Sequence, residues 1–380
     1  MSTDLSRLAE EALAAAKAAG AAGADTLAID SDHVAMALRE GTLETAERAQ
    51  GIELGLRVFV GQRQATVSIS DTRSAAIRSM AERAVAMARE APEDPYCGLA
   101  DPAQLATERD ATALGLAAAA AQPSPEALTE TARRTEAAAL AVPGVDQVSD
   151  VGAATSSMRV HLAASNGFSG GYARTSHQIH CVAIAGTGLE MERDYCVESR
   201  MIGADMPEAE TVGTQAGERA TARLGAKKPP TGAFPVLFDE RVANSLIAHL
   251  SAAISGAAVA RGTSWLKDAM GERVLPATLD LVTDPLTPGL SASRPFDAEG
   301  LPTATRKLVE AGVLTSWVLD LASARKLGVA PTGDATRGPS GVPSPSLGNQ
   351  HLTPGAQNQA AQLAEMGEGL LVTTQLGLPL

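Results

Sequence analysis

Between about Gln147 and Met201 the spacing of apolar residues changes from helical to alternating and stays alternating. The segments SSMRVHLAAS, TSHQIHCVAIAG and MERDYCVES each alternate apolar and polar side chains, which is typical of strands with one buried face. Consecutive strands joined by short turns pair antiparallel. This stretch therefore predicts an antiparallel sheet in the N-terminal part of the chain.

The residues before this run predict helices and further strands. Residues 3 to 19 carry Leu and Ala at three- and four-residue spacing, which indicates a first helix. The segments LAIDSDHVAMALREG and IELGLRVFVGQRQATVSIS predict antiparallel strands, with a hairpin turn at Gly61, Gln62 and Arg63. Asp71 is expected to cap a second helix, and PSPEALTETARRTEAAALAVPGV predicts a third.

A Lys-Lys-Pro-Pro linker after the helix PEAETVGTQAGERATARLG is the clearest candidate domain boundary. It divides the chain into an N-terminal domain, residues 1–226, and a strand-rich C-terminal domain, residues 231–380. There FPVLF predicts a buried strand, DERVANSLIAHLSAAISGAAVA predicts one long helix capped at Asp239, and the loop PTGDATRGPSGVPSPSLGN is expected to be mobile or ligand-facing. The predicted fold class is α+β in two domains: a mixed antiparallel sheet with helices, then a strand-rich domain with one long helix.

The charge of the chain excludes some functions. A formal net charge of −13 repels nucleic-acid phosphates and anionic lipid, and the sequence has no run of Lys and Arg that would reverse it locally. The N-terminus lacks the basic start and the apolar block of a signal peptide, and no stretch is apolar enough to span a membrane. The three cysteines (Cys97, Cys181 and Cys196) have no disulfide-like spacing, so we expect a cytoplasmic protein.

The stretch GFSGG, with Ser169 at its centre, matches the G-x-S-x-G pattern of a hydrolase nucleophile elbow. That elbow requires a strand before the serine and a helix after it, whereas here a predicted strand follows. The glycines are better explained by a turn or bulge that needs positive φ angles. The sequence therefore predicts no catalytic serine.

Two segments resemble metal sites. In HQIHC, His177 and Cys181 share one strand face while His180 points to the other, so a site with Cys196 depends on the pairing register. The helix containing His249 has no second histidine and no acid between Val242 and Thr263. A zinc-protease helix would carry two histidines and a glutamate, so neither segment predicts a metal site.

Five segments occur together in an order that resembles a known family. They are SNGFSGGYARTSH, MERDY, ARGTSWL, FDAEGLPTATRKLVEAGVLTSWVLDLASARKLG and GVAPTGDATRG. Their order and approximate spacing are similar to those of the TldD/PmbA family, and most similar to its PmbA branch, also called TldE. The resemblance covers nearly the whole chain.

The resemblance implies a soluble two-domain α+β protein and a role in proteolysis. TldD and TldE types pair as a heterodimeric metallopeptidase that acts on peptides and on unfolded or modified precursors; an older family label is modulator of DNA gyrase. In the TldD branch, the helix before GTS bears H-E-x-x-x-H, and a later cysteine completes a zinc site. This sequence has Ile247, Ala248 and Ala252 at those positions. The resemblance therefore implies no catalytic residue and no metal or cofactor here, with zinc in a TldD-like partner.

Positions in the shared motifs give the candidate substrate contacts. They are the glycine hairpin (Asn166, Gly167, Gly170, Gly171), Arg193, Asp194, and Arg261, Gly262, Thr263 and Ser264. The alternatives left open are a binding or scaffold protein without peptidase activity and an autonomous hydrolase that uses Ser169 or a His177/Cys181 metal site. Family chains usually continue beyond Leu380 through further strands, so we expect a C-terminally short member.

Overall fold

The computed structural model describes residues 4–118 and 121–375, which form two units. The first unit contains Met1–Lys227, Pro285–Thr303 and Arg337–Val342, and the second contains Lys228–Asp284, Ala304–Thr336 and Pro343–Leu380. Two short segments from the C-terminal half of the sequence thus belong to the first unit. Within the described residues, no helix has the length and apolar character needed to cross a bilayer.

A six-stranded sheet organises the first unit. Its strands are β1 (Gly23–Arg39), β2 (Thr42–Val60), β3 (Arg63–Ile69), β4 (Val145–Ala164), β5 (Ser169–Ala185) and β6 (Glu192–Arg200). The order is β3-β2-β1-β4-β5-β6, and each neighbouring pair is antiparallel. The strands predicted from residue 147 onward are β4, β5 and β6.

Four helices cover one face of this sheet in two pairs. They are α1 (Leu5–Ala18), α2 (Ser74–Glu90), α3 (Pro125–Leu140) and α4 (Ala209–Thr221). Ala24 and Ala28 of β1 pack with α1 and α2, whereas Met36 and Leu38 pack with α3 and α4. Because side chains alternate along a strand, these four residues face the same side. Both helix pairs therefore lie on one face.

The opposite face of this sheet packs against irregular segments of the first unit. Leu27, Leu162 and Phe168 form a cluster there with Phe296, which belongs to the segment Pro285–Thr303. The rings of Phe168 and Phe296 meet edge to face with centroids 4.9 Å apart. This aromatic contact covers the part of the second face around Leu27, Leu162 and Phe168.

The second unit has short strands and one helix longer than the others. Its strands are β7 (Val236–Phe238), β8 (Leu281–Thr283), β9 (Arg306–Glu310), β10 (Val313–Leu314), β11 (Ala335–Thr336), β12 (Ser344–Pro345), β13 (Gln350–Leu352) and β14 (Leu370–Val372). Its helices are α5 (Glu240–Ala253), α6 (Gly256–Arg261), α7 (Leu321–Leu327) and α8 (Gln359–Met366). One sheet has the order β10-β9-β8-β13, and β7 pairs in parallel with β14. The predicted fold class is confirmed.

Several local predictions were wrong. Asp71 does not cap α2: the N-cap is Arg73, and the Asp71 carboxylate accepts a hydrogen bond from the Arg73 N–H. FPVLF is not a buried strand, since Val236 is 47% exposed in a sheet of only two strands. The polar loop 331–349 contains two short strands together with buried Asp334 and Arg337, which does not fit a mobile loop, and the alternative that it faces a ligand stays a prediction.

The predicted long helix breaks into α5 and α6 at Ile254 and Ser255. Here Val318 runs alongside: its N–H donates to the Ile254 carbonyl, and its carbonyl accepts from the Gly256 N–H. A Cβ on Gly256 would lie 2.9 Å from the Val318 oxygen and 2.4 Å from a Leu319 methyl carbon. A distant segment therefore replaces helical hydrogen bonds, which helix periodicity cannot reveal.

Candidate functional site

The glycine hairpin is the turn between β4 and β5, and its residues have structural roles. Gly167 has φ = +97°, a conformation that side chains with a Cβ rarely adopt. The Asn166 side chain donates to the Ala100 carbonyl and accepts from the Phe168 N–H. These bonds fix the turn and place Phe168 in the core.

Gly170 and Gly171 allow rings to pack on opposite faces of the sheet. A Cβ on Gly170 would lie 3.0 Å from the Phe296 ring, and one on Gly171 would lie 2.9 Å from Nδ1 of His161. Both distances are shorter than ordinary carbon contacts, so a larger residue would displace the ring. The motif is explained by packing, and its contact with substrate stays a prediction.

Ser169 lies beside a histidine that the sequence analysis did not select. Its Oγ is 3.1 Å from Nε2 of His161 across the β4–β5 hairpin. Burial lowers the pKa of His161, although Asp4 and Glu10 oppose this shift. Residues 161 and 169 become neighbours only through the pairing of Ala163 with Ser169. Ser169 begins a strand, so the strand-to-helix elbow is absent at this position.

Arg193 and Asp194 lie on the edge strand β6, far from the glycine hairpin. Asp194 is buried, and its carboxylate accepts from the Tyr195 N–H and lies 3.6 Å from Arg223. It pairs in register with Ala183 on β5, thirteen positions along that strand from Gly170. At about 3.3 Å per residue, this separation is roughly 40 Å. The sheet does not bring these two candidate groups together.

The candidate residues 261 to 264 lie at the end of α6 in the second unit. Gly262 ends the helix with φ = +76°. Arg261 and Thr263 are exposed. The buried Ser264 hydroxyl donates to the Ala253 carbonyl and accepts from the Leu266 N–H. Ser264 thus holds the chain that follows α6 against the end of α5.

Helix α5 carries the positions that the resemblance aligns with the zinc ligands of the TldD branch. Ile247, Ala248 and Ala252 have no side-chain donor atom for a metal, so they do not fit zinc. His249 is exposed on the same helix. Within residues 4–118 and 121–375, no three His, Cys, Asp or Glu side chains are grouped closely enough to hold a metal ion.

The His/Cys pattern on β5 is divided between two environments. Cys181 pairs with Cys196 across β5 and β6, and both are buried beneath α4, where the Cys196 thiol donates to Gln215. Burial, with a contribution from Cys196, raises the pKa of Cys181 to about 12. His177 lies four residues away on β5, against the wall of a 460 Å³ cavity, and among residues 4–118 and 121–375 its Nε2 has no hydrogen-bond partner. Burial lowers the pKa of this imidazole.

A buried ion cluster in the first unit was not foreseen. We call Asp25, Arg57, Glu299 and Arg337 the Asp25 cluster. Asp25 Oδ2 accepts from Arg57 Nε at 2.9 Å, and Arg57 Nη2 lies 3.9 Å from Glu299. Burial opposes ionisation of Asp25, but the guanidinium groups of Arg337 and Arg57 outweigh this and lower its pKa.

Comparisons with known proteins identify the family of this chain. Models of the PmbA/TldA metallopeptidase domain 1, central domain and C-terminal domain match residues 24–88, 119–224 and 231–379. The Metalloprotease PmbA of Escherichia coli O157:H7 is 34% identical over 93% of this chain and 76% of that protein. The chain belongs to the PmbA/TldD family.

A second relative supports the assignment, and solved structures show the same fold. The Metalloprotease PmbA homolog of Haemophilus influenzae is 33% identical over 88% of this chain and 72% of that protein. A solved structure from Bacteroides thetaiotaomicron, described as a candidate modulator of DNA gyrase, has a TM-score of 0.88 at 24% identity over 99% of this chain and 84% of its own. TldE from Thermococcus kodakarensis has a TM-score of 0.80 at 17% identity, over 97% of this chain and 83% of its own. Both structures show the same fold.

Proposed function

We propose that this PmbA/TldD-family chain is a TldE-type subunit that has no zinc site of its own and supports a TldD-like, zinc-bearing partner in peptide hydrolysis. The observation that carries the proposal is the composition of α5. Ile247, Ala248 and Ala252 occupy the positions of the metal-binding pattern and supply no ligand atom. The partner would therefore hold the metal, and this chain would contribute dimer surface and part of the enclosing cavity.

The candidate substrate contacts differ in how they can be tested. Arg193, Arg261 and Thr263 are exposed, so their side chains can be replaced without removing a core contact. Asp194 and Ser264 are buried and hydrogen-bonded, so their loss would also affect folding. An Arg193→Ala or Arg261→Ala variant that raises KM of the mixed enzyme, with the folded fraction unchanged, would support a role in binding substrate.

The names of the relatives agree with a role in proteolysis. Two relatives are named metalloprotease PmbA or its homolog, and a TldE structure shares the fold. The three cysteines are free thiols, which supports a reducing, cytoplasmic location.

One contact favours the rival function of an autonomous hydrolase. Ser169 Oγ lies within hydrogen-bond distance of His161, as in a nucleophile and its base. Within the described chain, however, no carboxylate accepts a hydrogen bond from His161, and strand rather than helix follows the serine. The base therefore lacks the acid that would orient it, and the helix N-terminus that could stabilise an oxyanion is missing.

The test is peptide hydrolysis by the chain alone, by a TldD-type protein alone, and by their mixture, with sizing chromatography on the same samples. We expect one co-eluting complex, activity in the mixture, and no activity in this chain alone. Pre-treatment of the partner with a chelator should abolish the activity, and Ser169→Ala in this chain should leave it unchanged. Hydrolysis by the isolated chain that Ser169→Ala removes would overturn the proposal.

A further inference from the structure

The first part of β2 forms an open sheet edge. Strand β2 pairs with β1 along its whole length, but β3 pairs only with Leu54–Val60. Residues 42–51 are exposed in succession. Within the described part of the chain, β2 therefore has no neighbouring strand on its outer side from Thr42 to Glu53.

The register shows which backbone groups point outward at this edge. Val60 and Arg63 flank the two-residue turn between β2 and β3, so they form its closing hydrogen-bonded pair. Hydrogen-bonded pairs recur at every second residue, which directs the N–H and C=O of Leu54 towards Ile69. The same alternation directs the backbone N–H and C=O groups of Ala46, Arg48, Gln50 and Ile52 to the open side. These four residues present a row of donors and acceptors without a partner strand.

Cavities flank this edge on both faces where β3 ends. On one face, Ser31, Gly51, Glu53 and Ser68 line a space of 550 Å³. On the other face, Asp30, Asp32, Gln50, Ser157 and Arg159 line a space of 800 Å³. A strand placed beside β2 would direct successive side chains to alternate faces and so into the two cavities.

The charges at the edge favour basic side chains. Asp30 and Asp32 are compensated, since they pair with Arg159 and Arg48. Glu47 and Glu53 are exposed on the face of the smaller cavity, and within the described residues neither forms an ion pair. Between Thr42 and Glu53 the edge carries charged side chains, mostly Glu, but neither Pro nor Lys.

We infer that the β2 edge from Ala46 to Ile52 binds an extended polypeptide with basic residues at alternate positions, by adding it as a strand. Backbone hydrogen bonds would supply sequence-tolerant affinity, and the two cavities would accept alternate side chains. The inference rests on the proposed function in one respect only: the proposed function identifies the bound peptide as an unfolded substrate. Binding is a property of this chain alone, so it is tested without the partner.

The probe is a fluorescein-labelled peptide of alternating Lys and Thr, titrated with the full chain and followed by fluorescence anisotropy. We expect saturable binding, at least about tenfold weaker binding of the corresponding Glu-Thr peptide, and none of a Lys-Thr peptide with N-methylated backbone amides. The methylated peptide keeps its charge, so the comparison separates strand pairing from electrostatic attraction.

The matched variants are Gln50→Pro and Gln50→Ala. Proline removes the outward N–H and is tolerated at a sheet edge, whereas alanine removes the same side chain but keeps that donor. We expect Gln50→Pro to weaken binding at least about tenfold and Gln50→Ala to change it less than about threefold, with equal thermal melts. If Gln50→Pro fails to fold, the comparison of the methylated and unmethylated peptides on the unchanged chain still tests strand pairing.

Three results would overturn the inference: equal binding of the methylated and unmethylated peptides, no binding at all, or self-association of the chain that Gln50→Pro abolishes while the peptide stays unbound. The last result would assign the edge to a second copy of this chain. If the unchanged chain does not bind the peptide while the mixed complex still hydrolyses its substrate, this site is rejected and the proposed function stands.

Discussion

The Arg337 guanidinium lies 2.5 Å from the Asp25 carboxylate, although the two residues are near opposite ends of the sequence. The approach is close but poorly directed: within the described residues, Asp25 Oδ1 has no partner of hydrogen-bond geometry, and neither Nε nor Nη2 of Arg337 has one. The contact is therefore an ion pair. It joins the segment Arg337–Val342 to the sheet of the first unit.

Arg337→Met should strongly destabilise the first unit. It leaves a buried cluster of two carboxylates and one guanidinium, and breaking a buried pair costs about 3–5 kcal/mol. Urea unfolding followed by circular dichroism measures this cost. Arg133→Met is the control, because Arg133 pairs with Glu130 at the surface and should matter little. Equal stability of the two variants would show that the Asp25 cluster does not hold the fold.

Acid should weaken the first unit through Asp25. The folded protein lowers the pKa of Asp25, so the unfolded chain binds more protons in acid and stability falls as pH falls. The contribution is complete above the ordinary pKa of about 3.9 and is lost as the pH falls through the lower folded value. Urea unfolding from about pH 6 downward should give a flatter pH profile for Asp25→Asn than for the unchanged chain. Parallel profiles would contradict this assignment.

Cys97 should react with thiol reagents well before Cys181 and Cys196. The Cys181 thiol is buried, and its pKa of about 12 leaves almost no thiolate at neutral pH. Cys196 is also buried, whereas Cys97 is partly exposed. Labelling with dithionitrobenzoate should show one fast thiol, and the other two only on unfolding. Fast labelling of Cys181 in the folded chain would contradict its buried position between the sheet and α4.

Gly256→Ala should destabilise the second unit. Its Cβ would lie 2.9 Å from the Val318 carbonyl oxygen, which is backbone and cannot move aside easily. Overpacking of this kind costs about 1–3 kcal/mol. Gly355→Ala is the control, because no atom of the described residues, apart from its chain neighbours, lies within 4 Å of its Cβ position. A thermal melt of Gly256→Ala equal to that of Gly355→Ala would show that the chain at Val318 can move away from residue 256 without loss of stability.

Local patterns predicted the elements whose signals are local. Alternation after Gln147 gave β4 to β6, and the helical spacing of Leu5 and Leu8 gave α1. The outer part of β2 was missed because residues 42–51 are exposed and charged, so they carry no apolar alternation. Pairing with β1 alone makes them a strand.

The candidate site depended more on contacts between distant residues. The Asp25 cluster, the Ser169–His161 contact and the break at Ser255 all follow from pairing between segments, which spacing in one sequence does not encode. The side-chain chemistry of Ile247, Ala248 and Ala252 could be read directly, because an aliphatic side chain has no donor atom in any fold. The absence of a zinc site stays a prediction.

The most direct test of the central claim is the zinc content of the purified chain, measured by mass spectrometry after equilibration with zinc and gel filtration. The TldD-type partner is measured in parallel as the positive control. We predict no stoichiometric zinc in this chain and about one zinc ion in the partner. About one tightly held zinc ion per molecule of this chain, lost on Ala substitution of His177, Cys181 or His249, would contradict the account.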